Sequence, residues 1–339
     1  MIVILSEAKD PKMRRGRLAS VSERGRSGLR CIWRSFASLG MTAGVGLAFA
    51  LLATLPLVAQ ETGKTFAGPA SNLYYEVRGG GAGTPLVLVN GGPGFDHMYL
   101  HVSNVWDTLA KSRTVVFYDQ RGNGHSEALK PAETSTLADQ IADLEALRAH
   151  LGYEKMDLLG HSWGGYLVMA YTARYPERVR RLIICDSAAP KWSDTLFLFK
   201  EVFPEGVARQ DALDFADKMG DAAAPKESIR EYLAMLFYSP ERRDAFLAQA
   251  DRFVYTRDVN EKVNADLARF DLNPELPKFH LPTLVLTGRY DMNVAPLTAW
   301  KIHKAIAGSQ FHVFERSGHL PWYEEPDEFL HVVEPFLAR

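Results

Sequence analysis

One hexapeptide, Gly160-His161-Ser162-Trp163-Gly164-Gly165, has the residue types and spacing of a serine nucleophile held on a strained turn. Residues 156–159 before it read as a short buried strand, and 166–175 after it as a helix. A chain that turns so sharply from strand to helix crowds its own backbone at the turn. Small residues two before and two after the serine relieve that crowding, and Gly160 and Gly164 stand there. A serine hydroxyl is a poor nucleophile until a base takes its proton, and the base needs a partner to orient it. Such a site therefore also calls for an acid and a histidine, each just beyond a later strand. Residues 282–287 read as a strand that leads to Asp291, and 310–314 as a strand that leads to His319. Asp291 is the expected acid, with Asp186, just after an earlier strand, as its rival. His319 is the expected base. His312 falls inside a strand, His125 in a loop, and His161 is expected to point its side chain elsewhere. The oxyanion that forms on attack needs two backbone N–H groups. One is that of Trp163. The other is assigned to Gly92, in the loop Asn90-Gly91-Gly92-Pro93-Gly94 that ends strand 85–89.

The elements that must carry these residues follow from hydrophobic patterning. Strands are expected at 73–78, 85–89, 114–118, 156–159, 181–185, 282–287 and 310–314. Helices are expected near 99–109, 137–151, 166–175, 297–306 and 327–337. Strands alternating with helices imply a mostly parallel sheet flanked by helices on both faces. Ser162, Asp291 and His319 would then emerge at one sheet edge. Residues 190–278 break the rhythm. They read as several short helices rich in aromatics, an inserted helical cap over the site. Of its aromatics Phe197, Phe199, Phe203, Tyr232, Phe237, Tyr238, Phe253 and Tyr255, most are expected to form the cap's own core and a few to line a pocket.

Composition bounds the rest. The chain has 339 residues and a formal net charge of −2. Nine of the 39 basic and three of the 41 acidic residues fall in 1–59, which leaves 30 basic and 38 acidic residues beyond. A globular part that acidic argues against nucleic acid as a partner. The segment 35–60 carries no charge and contains the apolar run 45–55, preceded by Arg30 and Arg34 and followed by a candidate cleavage site at Leu57-Val58-Ala59. Residues 1–59 are read as a leader outside the fold, which implies export to the periplasm or beyond. An uncleaved membrane anchor is the alternative, and Met41 is an alternative start. The core is expected to run over 60–189 and 279–339, with the cap over 190–278. Of the two cysteines, Cys31 lies in the leader and Cys185 in a core strand, so no disulfide is expected. No Cys/His metal spacing appears, and neither metal nor cofactor is expected.

With these segments together, the chain resembles an α/β-hydrolase, and more narrowly the proline iminopeptidase family of serine aminopeptidases. The resemblance rests on 90–94, on Phe117-Tyr-Asp-Gln-Arg-Gly-Asn-Gly-His-Ser126, on 160–165, and on the segments holding Asp291 and His319. It covers roughly residues 70–339. It implies the triad Ser162, Asp291 and His319, an oxyanion hole at Gly92 and Trp163, and a structural role for residues 119–122 beneath the turn. It also implies release of an N-terminal residue, often proline, from short peptides, with the free amine held by carboxylates near the cap. Glu261 is the candidate anchor. Asn90 stands where the family usually has histidine, and Met292 where some relatives have glutamate. An esterase acting on small esters is the alternative, and a non-catalytic ligand-binding protein on this fold is a third reading.

Overall fold

The computed structural model describes residues 63–81 and 83–338. The expected leader, with its apolar run, cleavage site and Cys31, lies outside the described residues. Eight strands form one sheet: β1 (Lys64–Ala67), β2 (Asn72–Arg78), β3 (Leu86–Val89), β4 (Val115–Tyr118), β5 (Met156–His161), β6 (Val179–Cys185), β7 (Thr283–Gly288) and β8 (Gln310–Phe314). Their order is β1-β2-β4-β3-β5-β6-β7-β8. β1 and β2 pair antiparallel, as do β2 and β4, and every later pair is parallel. A parallel sheet covered on both faces needs strands that are apolar on both faces. β3 shows why: Leu86 and Leu88 pack into one core, Val87 and Val89 into the other.

Outside the cap, α1 (Val105–Ala110), α2 (Leu137–His150) and α3 (Trp163–Arg174) flank the first strands. α2 starts on a capping box. The Thr136 hydroxyl accepts the Asp139 N–H, and the Asp139 carboxylate accepts the Thr136 N–H. Between β6 and β7 lie the short turn Trp192–Asp194, α4 (Phe199–Val202), α5 (Pro204–Lys218), α6 (Ala224–Ala234), α7 (Pro240–Leu247) and α8 (Arg257–Leu267). α9 (Pro296–Ala305), α10 (Pro321–Glu324) and α11 (Pro326–Ala338) complete the chain. Among the described residues, no helix is long and apolar enough to cross a membrane.

Three local expectations need correction. The helix expected near 99–109 is two pieces, a 3-10 helix His97–Val102 and α1, because Ser103 is extended and its hydroxyl donates to the Trp322 carbonyl at 2.8 Å. The edge strand β1 is not among the expected strands, since four residues carry too little periodicity. α3 begins at Trp163, three residues earlier than its pattern suggests, because Gly164 and Gly165 are helical. A Cβ at 164 would run into the Val89 carbonyl, and one at 165 into the Ser187 side chain. Gly164→Ala is accordingly expected to lower stability by more than about 3 kcal/mol, measured by thermal unfolding, because rigid backbone has to move to admit the methyl.

Candidate active site

The sheet order reverses between β3 and β5, the crevice where doubly wound sheets bind ligands. Ser162 sits there, directly after β5, at φ 58° and ψ −120°. That is a conformation most L-residues avoid, and it persists only where surrounding structure over-determines it. Here the Ser162 N–H donates to Cys185 O at 3.0 Å, and its carbonyl accepts the N–H groups of Gly165 and Ala188. Gly160 is needed beneath it, because a Cβ there would meet the Gly164 carbonyl.

β7 and β8 deliver the expected acid and base. His319 Nδ1 lies 2.7 Å from Asp291 Oδ2, and both side chains are buried. Asp291 Oδ1 accepts the N–H groups of Asn293 and Val294, each at 2.9 Å. With Nδ1–H pointing at the carboxylate, Nε2 is left as the basic nitrogen. It faces Asn293 Nδ2 at 3.1 Å, and Ser162 lines the same cavity as His319. Asn293 was not singled out from sequence. Its position two residues after Asp291 is the one signal that could have found it.

Asp186, the rival acid, is close by. It has φ 45°, its Oδ1 accepts the Gly288 N–H at 2.8 Å, and one of its oxygens lies within 4.8 Å of both Asp291 and His319. Complete burial, reinforced by the Asp291 charge, holds its carboxyl well above the usual carboxylate range. Asp291, and not Asp186, is the partner that His319 faces.

His161 departs from expectation. Its side chain lines the cavity, Nε2 donates to the His319 carbonyl at 2.9 Å, and Nδ1 meets Tyr99 Oη at 2.7 Å. Burial pushes its basicity well down, so the ring is neutral and bridges the two loops. Tyr99 Oη in turn accepts the Gly91 N–H at 2.5 Å. That leaves the next amide, Gly92, at φ 126°. Among the described residues, neither the Gly92 nor the Trp163 N–H donates to another protein atom. Two unpaired donors beside Ser162 can stabilise an oxyanion.

The loop 119–122 supports both donors. Gln120 Oε1 accepts the Trp163 indole N–H at 2.9 Å, and Gln120 Nε2 donates to Asn90 O at 2.9 Å. Arg121 forks onto Asp143 of α2 with two 2.6 Å bonds. Asn90 is buried and closes the glycine loop from within, donating to Phe95 O at 2.7 Å. Asp96, in the same loop, is fully buried and neither of its oxygens has a partner. Burial first, then the neighbouring Asp119 charge, raises its pKa to about 7. A raised carboxyl contributes stability below its unfolded value that is lost as pH climbs through the folded one. Asp96→Asn is expected to stabilise the fold by about 2 kcal/mol at pH 8, a gain that falls away toward pH 4. Melting curves at the two pH values check this.

A chamber of about 230 Å³ opens from Ser162 toward the cap. Its walls include Trp192, Phe197, Tyr232 and Tyr255, so four of the cap aromatics do face the site. Phe237 and Phe253 instead pack on Phe246 in the cap core, and Phe246 also reaches the cavity beside His319. Glu261 is exposed on α8 and does not line the chamber; that helix turns Asn260 and Asn264 inward instead. Asn260 Nδ2 is anchored on the Pro93 carbonyl at 2.8 Å, and Asn264 Oδ1 is buried without a hydrogen-bond partner. Met292 offers its backbone carbonyl to Leu198 N–H at 2.9 Å.

Fold and site together define a class. The chain belongs to the family described as alpha/beta hydrolase fold, whose model matches residues 84–326, and it is a hydrolase of that fold. It is 31% identical over 285 residues to the proline iminopeptidase of Saccharolobus solfataricus, covering 79% of this chain and 89% of that one. The proline iminopeptidase of Clostridium botulinum is also 31% identical, over 282 residues, covering 78% and 94%. Among solved structures, the enol-lactonase from Burkholderia xenovorans LB400 superposes with a TM-score of 0.64 at 26% identity, covering 81% of this chain and all of that one.

Proposed function

We propose that this chain is a serine hydrolase that works through an acyl-enzyme on Ser162. His319 Nε2 takes the Ser162 proton as the hydroxyl attacks the substrate carbonyl. Asp291 holds the imidazole in the needed tautomer and stabilises its protonated form. The oxyanion lies on the Gly92 and Trp163 N–H groups. His319 then returns the proton to the leaving group, and water, activated by the same imidazole, releases the acid. The observation that carries this reading is the Asp291–His319 pair, with His319 lining one cavity together with Ser162 and Gly92, whose N–H is unpaired among the described residues.

Two leaving groups fit. The relatives' names favour removal of an N-terminal residue, with the chamber holding that residue and Asn264 Oδ1 accepting from its amine. The walls of the chamber favour a second reading, hydrolysis of a small uncharged ester. Among the described residues no carboxylate lines it, and an ammonium there would lack a counter-charge. The test compares proline and alanine p-nitroanilides, their N-acetyl forms, and short-chain p-nitrophenyl esters. Turnover of free-amine anilides, lost on acetylation, supports the aminopeptidase. Ester turnover with inert anilides supports the esterase. Inertness toward every substrate contradicts the proposal.

A further inference from the structure

A second cluster of chemistry-bearing side chains stands around β2, apart from Ser162. Glu76 on β2 brings one carboxylate oxygen within 3.2 Å of His97 Nε2 and the other within 3.3 Å of His101 Nε2. The two histidines sit four residues apart on the 3-10 helix His97–Val102, with ring centroids 5.0 Å apart. His97 turns its other nitrogen to Asp119, with Nδ1 2.7 Å from Oδ1. His101 has only 6% of its side chain exposed, yet neither ring nitrogen makes a hydrogen bond among the described residues. Its imidazole is aimed at a Glu76 oxygen but makes no hydrogen bond to it, and its Nδ1 has no hydrogen-bond partner either, a state that buried polar groups ordinarily avoid.

We propose that Glu76, His97 and His101 form a binding site for one divalent ion of the zinc class, with Asp119 orienting His97 from behind. Two imidazole nitrogens and a carboxylate are a donor set suited to zinc. A tetrahedral ion with bonds of about 2.0–2.1 Å spaces its ligand atoms about 3.3 Å apart. The two carboxylate–imidazole separations already match this, and one ligand atom from each of the three residues lies within 4.8 Å of the others. An imidazole whose far N–H is held by a carboxylate is the usual arrangement behind a metal-bound histidine. Tyr74 Oη donates to Glu76 Oε1 at 3.0 Å and fixes the carboxylate in the same way. The opposing influence is Arg78, whose Nη2 lies 3.8 Å from Glu76 Oε2. Its charge is shared with Asp107, 2.7 Å from Nη1, which weakens the repulsion without removing it. Glu76 is partly exposed, which gives an ion a way in. Bound there, the ion would tie β2 to the segment directly after the Gly91–Gly94 loop. The ligands come from a strand and a helix 21 residues apart, so no compact sequence spacing announces them.

The test uses the full chain without a histidine tag, stripped with chelator and then titrated with zinc alone by calorimetry and thermal unfolding. One zinc per chain is expected, with the melting temperature rising by roughly 5 °C at saturating metal. His101→Gln and Glu76→Gln should each weaken binding at least tenfold and remove that rise. Absence of saturable binding, or equal binding by folded variants, overturns the proposal. Should the variants fail to fold, cobalt in the unaltered chain decides. Strong visible bands of a four-coordinate ion support the site, and a spectrum like the hydrated ion overturns it.

Discussion

Ser162→Ala should lower kcat by at least about 10⁴-fold on whichever substrate is turned over, with the fold intact. The loss is large because the hydroxyl is the atom that bonds to the substrate. Once it is gone, His319 has no proton to take and only water can attack. What remains is the contribution of the Gly92 and Trp163 donors and of binding in the chamber. The melting temperature should stay within a few degrees of the parent. Alanine meets the same backbone strain at φ 58° as serine, and no hydrogen bond of Ser162 Oγ is lost among the described residues. Initial rates and thermal melts measured on one preparation separate the two effects. A variant that keeps a tenth of the activity would remove Ser162 from the reaction.

The second large effect is expected at Asp291. Asp291→Asn should cost about 10³–10⁴-fold in kcat, because an amide no longer selects the tautomer that leaves His319 Nε2 basic. The carboxylate now accepts His319 Nδ1–H on one oxygen and two backbone N–H groups on the other, so no other residue supplies the same bonds. Asp186 is the control. Its Oδ1 accepts the Gly288 N–H, which an amide oxygen can also do, and its Oδ2 accepts the Cys185 thiol, toward which an amide nitrogen can donate instead. Asp186→Asn should therefore change kcat by less than about tenfold. If the two variants showed the opposite pattern, the acid would have to be reassigned to Asp186.

The residues that could be read from sequence are those whose role is set by neighbours in the chain. The strained turn is one, because Gly160 is demanded by the carbonyl of Gly164, four residues away. The positions of Asp291 and His319 are others, because each follows a strand whose apolar run marks it. What escaped sequence reading depends on how one element docks on another. Glu261 and Asn264 lie on one helix, and which of them meets the chamber is decided by how α8 seats on the glycine loop, through Asn260 and the Pro93 carbonyl. His161 was expected to look away from the site, yet the Tyr99 hydroxyl and the His319 carbonyl hold it there from two other parts of the chain. The cluster at Glu76 was invisible for the same reason. Glycines 164 and 165 misled in the other direction. They look like loop residues, but they are helical, and glycine stands there because the helix packs too close to the end of β3 at 164 and to Ser187 at 165 for a side chain.

The central claim, that Ser162 forms a covalent acyl bond during turnover, is tested most directly by intact-mass and peptide-mapping analysis after reaction with a fluorophosphonate. One adduct per chain is predicted, located on Ser162, absent from Ser162→Ala and much slower to form in His319→Ala. A chain that hydrolyses its substrate without being labelled, or that is labelled at another residue, would contradict the account.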